Sequence, residues 1–476
     1  MSKAKSSIRI TKLPNGLTVI TDTVPTTETM AVGVFVKTGA RHEDESINGI
    51  SHFLEHMLFK GTKKRDAIAI TEETEAEGLN VNAFTSNDVT AYHMNGMKDS
   101  LPKAVDVLSD MIMNSQFDQK ELDTERGAVK EEILQYDDDP TSVLMKNMNK
   151  VCFPDDAAGR TILGPAENID SFTRKQLKDY VREHYNGSNS VLVASGNVDH
   201  DELVRMARTK SRGMKKGKPS QTTAPKWVGG DVREEREINQ THFAMRLPTV
   251  PDTHPDYYAH MLAGKILGGG MSSRLFKEVR EKRGLVYTVS AGASGNKDYG
   301  SLTIYGGTSE DKVATMVPVM AAVIKKLSKD ATQAELDKVR KQLKTSLAIQ
   351  QESMTSRRNS AAMSMLFEGK IEPLTDVIAK LDAVTVEDVK RAAATWTTNG
   401  PVAVSSYGRV KNVPSYEEIS KQLGTPVPGV AAANRNKAKK PPAPPKADRA
   451  RVAVELKYEE PKAANGPKPR FGMTGS

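Results

Sequence analysis

The two halves of this chain repeat one order of secondary-structure elements, and this repeat constrains the fold more than any other feature. Each half has a buried strand, a helix, two segments in which polar and apolar residues alternate, and then long helices. The strand, the helix and the alternating segments lie at 30–37, 49–59 and 80–94 in the first half. In the second half they lie at 241–246, 257–267 and 286–305. The repeat predicts an α+β fold of two homologous α/β-sandwich domains, each an antiparallel-rich sheet with helices on one face, produced by internal duplication.

A segment poor in apolar residues separates the two halves. Residues 212–232 are rich in Lys, Gly, Pro, Ser and Thr, which is typical of a linker. We therefore predict one domain over 1–211 and another over 233–428, followed by a tail over 429–476. The tail is rich in Ala, Pro and Lys, so we expect it to be disordered. Its stretch 451–458 alternates like a strand, and addition to a sheet edge is the alternative.

The positive charge of the chain is concentrated in this tail. The net charge is +8, but from Val430 onward there are eleven Lys and Arg against four Asp and Glu, so the rest is nearly neutral. We therefore expect no nucleic-acid partner, and the alternative is that the tail itself binds nucleic acid or an acidic membrane surface. No apolar run reaches the roughly 18 residues of a membrane span, and the basic N-terminus argues against secretion.

The motif His52-Phe-Leu-Glu55-His56 is the sharpest chemical signal in the sequence. It lies in an apolar helical segment, where residues i and i+4 share a face, so both imidazoles can bind one cation with the carboxylate beside them. It is the inverted form of the zinc signature in which the glutamate activates a water molecule. The alternative is an amphipathic helix with two surface histidines. The lone Cys152 offers no cysteine-based zinc site and is expected to be a packing residue.

A third metal ligand is expected on the acidic helix that spans residues 119–136. Glu125 and Glu132 are seven residues apart and therefore lie on one helical stripe, whereas Glu131 is rotated by about 100°. Periodicity alone does not select the ligand. An acidic helix that is simply solvated is the alternative.

Three motifs together identify a family resemblance. The stretches 49–62 (GISHFLEHMLFKGT), 82–92 (NAFTSNDVTAY) and 125–133 (ERGAVKEEI) closely resemble the pitrilysin (M16) metallopeptidases. The chain looks most like their short two-domain branch, which includes bacterial processing-type peptidases and the mitochondrial processing peptidase β-subunit. The likeness extends from about residue 8 to residue 424.

The resemblance implies a role for each site residue. It makes His52, His56 and Glu132 the ligands of one Zn²⁺ per chain, Glu55 the general base, and Glu125 a second acid that assists the site. The domain over 1–211 becomes the zinc-binding catalytic domain and that over 233–428 the substrate-binding domain. The repeated helix of the second half carries only His260, so no second zinc is expected.

The resemblance also implies how a peptide binds. The substrate adds as a β-strand, and the expected contacts are an edge strand, a pocket after the cleaved bond and a pair that holds the substrate backbone. The edge strand maps onto Asn82, Ala83 and Phe84. The pocket maps onto Phe59, and the pair maps onto Arg280 and Tyr287. The alternatives are core packing for Phe59 and Phe84, and ordinary surface positions for Arg280 and Tyr287.

The resemblance implies a zinc endopeptidase that cleaves peptides or extended segments of precursor proteins inside an enclosed dimeric chamber. We expect a homodimer, or a heterodimer with a related M16 subunit, and a bacterial cytoplasmic location, with the mitochondrial matrix as the alternative. Ser142 and Lys146 stand where the mitochondrial β-subunit has acids that read presequence arginines, and the nearby acids at 137–139 are possible substitutes. The alternative function is a non-catalytic or partner-dependent structural subunit of an M16-type complex.

Overall fold

The computed structural model describes residues 7–427, which contain two mixed β-sheets. The first sheet has six strands in the order β1-β2-β6-β3-β5-β4, and all neighbours are antiparallel except β2 and β6. Its strands are β1 (Ser7–Lys12), β2 (Thr18–Thr23), β3 (Thr29–Val36), β4 (Asn80–Thr85), β5 (Thr90–Met97) and β6 (Ser190–Gly196).

The second sheet repeats this arrangement with one strand fewer. Its order is β7-β11-β8-β10-β9, with β7 and β11 parallel and the other neighbours antiparallel. Its strands are β7 (Gly230–Glu235), β8 (Thr241–Thr249), β9 (Thr288–Gly295), β10 (Gly300–Thr308) and β11 (Ala403–Gly408). The first sheet without β1 therefore matches the second strand for strand, as duplication requires, and the predicted fold class is confirmed.

Helices form the other layer of each half. In the first half (residues 7–211) they are α1 (Ile50–Leu58), α2 (Ala67–Ala76), α3 (Leu101–Asn114), α4 (Gln119–Asp138), α5 (Pro140–Cys152), α6 (Ala166–Ser171), α7 (Arg174–His184) and α8 (His200–Lys210). In the second half (residues 230–427) they are α9 (Tyr257–Gly268), α10 (Glu310–Asp330), α11 (Gln333–Gln350), α12 (Met354–Glu368), α13 (Leu374–Ala383), α14 (Val386–Thr395) and α15 (Tyr416–Leu423). None of the helices within 7–427 combines the length and apolar character needed to cross a membrane.

The two halves exchange one helix each. One face of each sheet packs against helices of its own half, in two large apolar cores. The opposite face of the first sheet is covered by α12 of the second half, through Ala361 and Ala362. The opposite face of the second sheet is covered by α5 of the first half, through Val143 and Leu144. Each sheet is therefore completed by a helix from the other half.

Local sequence explains how α5 leaves the first half. Proline at position 140 cannot continue α4, because it lacks an N–H group and disfavours helical geometry in the residue before it. Asp139 is instead extended, and its carboxylate accepts a hydrogen bond of 2.7 Å from the Ser142 backbone N–H. This cap starts α5 in a new direction.

Several sequence predictions can be compared directly with these elements. Cys152 is fully buried in the cluster beneath the second sheet. Strand β7 begins at Gly230, inside the segment predicted as the linker. The domain boundaries stay a prediction, and the predicted disordered tail lies outside the described residues.

Candidate metal centre

The helix that carries the histidine motif is fixed at its N-terminus by a buried carboxylate. Glu43 is 3% exposed, and its oxygens accept hydrogen bonds from the backbone N–H groups of Gly49 (2.7 Å) and Ser51 (2.8 Å) and from the Asn48 side chain (2.9 Å). The first N–H groups of a helix have no partner within the helix, and they favour a negative charge. Glu43 therefore fixes the start of α1.

Two histidines from α1 and one glutamate from α4 converge on a common point. Glu132 Oε2 lies 3.5 Å from His52 Nε2 and 3.4 Å from His56 Nε2. A tetrahedral site with metal–ligand bonds of about 2.0–2.1 Å has ligand–ligand edges of about 3.3–3.4 Å. The three side chains form the one group of three or more potential ligands found within residues 7–427. Two imidazoles and one carboxylate at this spacing fit a zinc ion.

The remaining nitrogen of His56 is held by a second glutamate of α4. Glu125 is 4% exposed, and its Oε2 lies 3.0 Å from His56 Nδ1. Its Oε1 pairs with Lys60 Nζ at 2.5 Å. A carboxylate on the outer nitrogen of a ligating histidine fixes the orientation of the ring and its tautomer. Glu125 thus acts on the ring of His56 from the side opposite Glu132.

Glu55 is held beside the ligands by a strand residue. The Thr85 hydroxyl donates a hydrogen bond of 2.6 Å to Glu55 Oε2. Thr85 is the last residue of β4, which is the edge strand of the first sheet. The carboxylate is therefore positioned between the metal-binding residues and the strand on which a peptide is expected to bind.

Burial and neighbouring charges tune the protonation of this cluster. Burial, with a contribution from His56, lowers the pKa of His52 to about 4, so this ring is neutral and able to bind a metal. Burial raises the pKa of Glu55, and the Glu132 charge adds to this effect, whereas the Thr85 hydrogen bond opposes it. Burial would also raise the pKa of Glu125, but its hydrogen bonds to His56 and Lys60 outweigh burial and lower it.

The predicted edge-strand residues lie on β4, but their side chains face opposite ways. Ala83 packs against the core shared with α1. Phe84 points to the other face, where its ring centroid lies 6.2 Å from that of Phe35. Asn82 accepts a 2.7 Å hydrogen bond from the Ala83 backbone N–H. The Phe84 side chain therefore belongs to packing, in agreement with the alternative for this residue.

Phe59 belongs to the first half, whereas Arg280 and Tyr287 belong to the second half. Phe59 is the C-cap of α1 and lines an open groove of about 570 Å³ with Val81 of β4. Arg280 lies on the π-helical turn Phe276–Glu281, and its guanidinium stands 5.4 Å from the ring centroid of Tyr287. Tyr287 is 76% exposed, so its ring is open to a ligand.

The residues weighed for presequence recognition are engaged in local contacts. Lys146 forms an ion pair with Asp137, and Ser142 is bound to the capping Asp139. Asp138 is exposed at the end of α4. Two of the three acids are thus committed to starting or bracing α5.

The repeated helix of the second half has a structural role. His260 is buried, and its Nδ1 accepts a hydrogen bond of 2.9 Å from the indole N–H of Trp396. A Cβ added at Gly268 of α9 would lie 2.1 Å from the Ala291 backbone nitrogen. Helix α9 therefore lies so close to β9 that side chains have no room between them at that point.

Sequence reasoning missed Glu43, Lys60 and Thr85. A weak signal existed for two of them, since Lys60 follows His56 by one helical turn and Thr85 shares a strand face with Ala83. Glu43 lies in an irregular segment with no periodicity, so its contact with α1 had no signal in the pattern.

Within residues 7–427, the two duplicated α/β halves and their single His₂Glu cluster are those of a metallopeptidase-like protein. Two protein-family models match the sequence in agreement with this class. The model of Insulinase (Peptidase family M16) matches residues 18–166, and that of the Peptidase M16 inactive domain matches residues 171–343. The chain therefore belongs to peptidase family M16.

Relatives and solved structures extend this assignment. An uncharacterized zinc protease of Streptomyces coelicolor is 34% identical over 397 residues, covering 81% of this chain and 86% of that protein. The mitochondrial-processing peptidase subunit beta of Homo sapiens is 31% identical, covering 87% of each chain. A protease from Helicobacter pylori superposes with a TM-score of 0.80 at 23% identity, covering 85% of this chain and 99% of that one. This last likeness establishes the shared fold.

Proposed function

We propose that this chain is a zinc-dependent endopeptidase that cleaves peptides or extended segments of precursor proteins. The observation that carries the proposal is the position of Glu132 Oε2, which lies 3.5 Å from His52 Nε2 and 3.4 Å from His56 Nε2. These distances fit the ligand–ligand edges of a tetrahedral metal site. The carboxylate of Glu55 beside them supplies the base that hydrolysis needs. Relatives named zinc proteases support the choice of metal.

The side chains divide the chemistry among them. Zinc, when bound, polarises the scissile carbonyl and lowers the pKa of a water molecule. Glu55 accepts the proton of the attacking water and passes it to the nitrogen of the leaving amine as the carbon–nitrogen bond breaks. Its pKa, which burial raises, makes it a stronger base than a free glutamate. Glu125 keeps the His56 ring in its ligating orientation.

The substrate binds as a strand added to β4. The Ser86 N–H donates to Val89 O across the turn at 2.8 Å, so Ser86 and Val89 form a hydrogen-bonded pair. Along an antiparallel ladder, hydrogen-bonded and non-hydrogen-bonded pairs alternate from one residue to the next. The backbone groups of Phe84 therefore bond inward to β5, and those of Ala83 and Thr85 point to the open edge. Main-chain pairing there tolerates many sequences.

Side-chain contacts then select among peptides. We assign the groove beside Phe59 to the residue that follows the cleaved bond. Arg280 and Tyr287 hold the substrate backbone from the second half, as a cation–aromatic pair with an exposed ring can. Asn82 lies at the same edge of the sheet.

An enclosed chamber needs a second two-domain chain, so the active form is a dimer. A homodimer is favoured because this chain carries both the metal ligands and the Arg280–Tyr287 pair. The second candidate is a subunit of a larger complex without catalysis of its own. A chain of Complex III2 from Candida albicans has the same fold, with a TM-score of 0.76 at 20% identity. The complete ligand set favours the enzyme.

The decisive experiment measures zinc content together with hydrolysis of an extended quenched fluorescent peptide. We expect one zinc per chain and cleavage in the wild type, full zinc but no cleavage in Glu55→Gln, and loss of zinc in Glu132→Gln. Glu131→Gln is the matched control, because this neighbour on α4 is exposed. Absence of zinc in the wild type would refute the proposal, and zinc without cleavage would favour the structural subunit.

A further inference from the structure

A single arginine joins the turn that follows the expected substrate strand to the second half. Arg41 lies in the short 3-10 turn Ala40–His42, and its side chain is 3% exposed. Its guanidinium bonds Asp88 at 3.2 and 3.3 Å, and Asp298 at 3.2 and 2.6 Å. It also donates to the Thr223 carbonyl at 2.9 Å. One buried cation thus binds both halves and the segment between them.

The two carboxylates come from equivalent turns of the duplicated sheets. Asp88 lies in the turn between β4 and β5, and Asp298 in the turn between β9 and β10. Two partly buried carboxylates that face each other repel unless a cation lies between them. Burial raises the pKa of Asp88, and the Asp298 charge adds to this effect. The planar guanidinium contacts both carboxylates and binds Asp298 through both of its terminal nitrogens, a bidentate geometry that the point charge of a lysine cannot reproduce.

The backbone around Arg41 holds the same turn. The Ala40 N–H donates to Ser86 O at 3.2 Å, and the Arg41 N–H donates to Asn87 O at 2.8 Å. A Cβ at Gly39 would lie 2.2 Å from Ser86 O, so this close approach requires glycine. The turn is one residue beyond Thr85, which holds Glu55.

We propose that Arg41 is a positioning residue that couples strand β4 and the Thr85–Glu55 hydrogen bond to the docking of the two halves, through Asp88 and Asp298. When the halves separate at this point, the end of β4 loses its anchor and the general base loses its fixed position. Peptide hydrolysis therefore requires the docked arrangement. This inference rests on the proposed function, but the coupling itself is measurable without catalysis.

The chain offers a matched control for this ion pair. Arg357 of α12 and Asp22 of β2 form another buried pair between the halves, at 2.5 Å, with side chains 9% and 5% exposed. Three strands separate β2 from β4 in the sheet. Asp22→Asn therefore removes a comparable link between the halves without touching the substrate strand.

The experiment compares Asp298→Asn with Asp22→Asn in the full chain. Hydrogen exchange of the amides in 81–90 is measured in the inactive Glu55→Gln background, and kcat/KM on the extended peptide in the active one. We expect Asp298→Asn to accelerate exchange in this segment and to lower kcat/KM about tenfold at unchanged zinc content, because a small misplacement of reacting groups is costly. Asp22→Asn should change neither.

The outcomes separate the two proposals. Equal exchange rates and equal kcat/KM in the two variants would overturn the coupling. A wild type without peptidase activity would refute the proposed function, while faster exchange in Asp298→Asn alone would still support the coupling. If Asp298→Asn does not fold, Arg41→Lys and Arg357→Lys replace the pair, because each keeps the charge but loses the planar guanidinium with its several N–H donors.

Discussion

The buried cap of Glu43 gives the sharpest stability prediction. Glu43→Gln keeps the shape of the side chain but replaces one of two accepting oxygens with an NH₂ group that faces N–H donors. At least one charge-assisted hydrogen bond is lost, and a buried donor is left unpaired, at a cost of about 1.5–3 kcal/mol for the bond. Loss of the negative charge at the start of α1 adds about 0.3–1 kcal/mol. We therefore expect the variant to lose about 2–4 kcal/mol of unfolding free energy.

Urea unfolding and competition with a zinc chelator measure the two consequences. Because α1 carries two of the three proposed ligands, we expect zinc to bind about 10- to 100-fold more weakly in Glu43→Gln. Asp66→Asn is the control, since Asp66 caps α2 by accepting from the Ala69 N–H at 2.8 Å at an exposed position. Asn caps as well as Asp, so little change is expected. Equal stability losses in the two variants, with unchanged zinc affinity in both, would refute the reasoning.

Three further predictions concern other parts of the chain. Gly268→Ala places a Cβ 2.1 Å from the Ala291 nitrogen and should lower the unfolding free energy by about 1–3 kcal/mol. A Cβ at Gly127 of α4 meets nothing within 4 Å, so Gly127→Ala should raise the unfolding free energy by about 0.5–1 kcal/mol. Thermal denaturation of the two variants measures both effects. Burial would raise the pKa of Glu335, but hydrogen bonds from Arg274 and Thr332 lower it to about 2. The Glu335 carboxylate therefore stabilises the fold above the pKa of about 4.3 that it has in the unfolded chain, and this stabilisation is lost as the pH falls toward 2. The difference in unfolding free energy between wild type and Glu335→Gln should therefore shrink over that range, and a constant difference would contradict the assignment. Removal of zinc with a chelator should lower the melting temperature of the wild type and leave that of Glu132→Gln unchanged.

The sequence indicated two of the three proposed metal ligands because their spacing is local. Residues i and i+4 of one helix must share a face, so His52 and His56 needed no tertiary information. The choice between Glu125 and Glu132 did need it, since both lie on one stripe of α4. The structure shows why periodicity could not decide: both contact His56, one at each ring nitrogen.

The contacts that the sequence did not indicate are long-range. Arg41 and Asp298 are far apart in the chain, and the alternation of polar and apolar residues around Asp298 does not indicate a contact between them. An amphipathic pattern in α5 or α12 shows that a face is buried, but not which sheet buries it. The strand alternation placed Phe84 on one face of β4, and only the presence of α12 makes that face a core.

The exchange of α5 and α12 has a consequence for biosynthesis. The face of the first sheet that packs against α12 includes Ile20, Phe35 and Val193. All strands of this face have been synthesised once β6 is made, whereas α12 is synthesised much later. Roughly 170 further residues must leave the ribosome before α12 is available, which takes about 10–35 s at typical elongation rates. During that time the nascent chain presents an apolar sheet surface, a state that favours aggregation and recruits chaperones. The duplicated halves therefore cannot mature one after the other, and the protein reaches its native state only near the end of its synthesis.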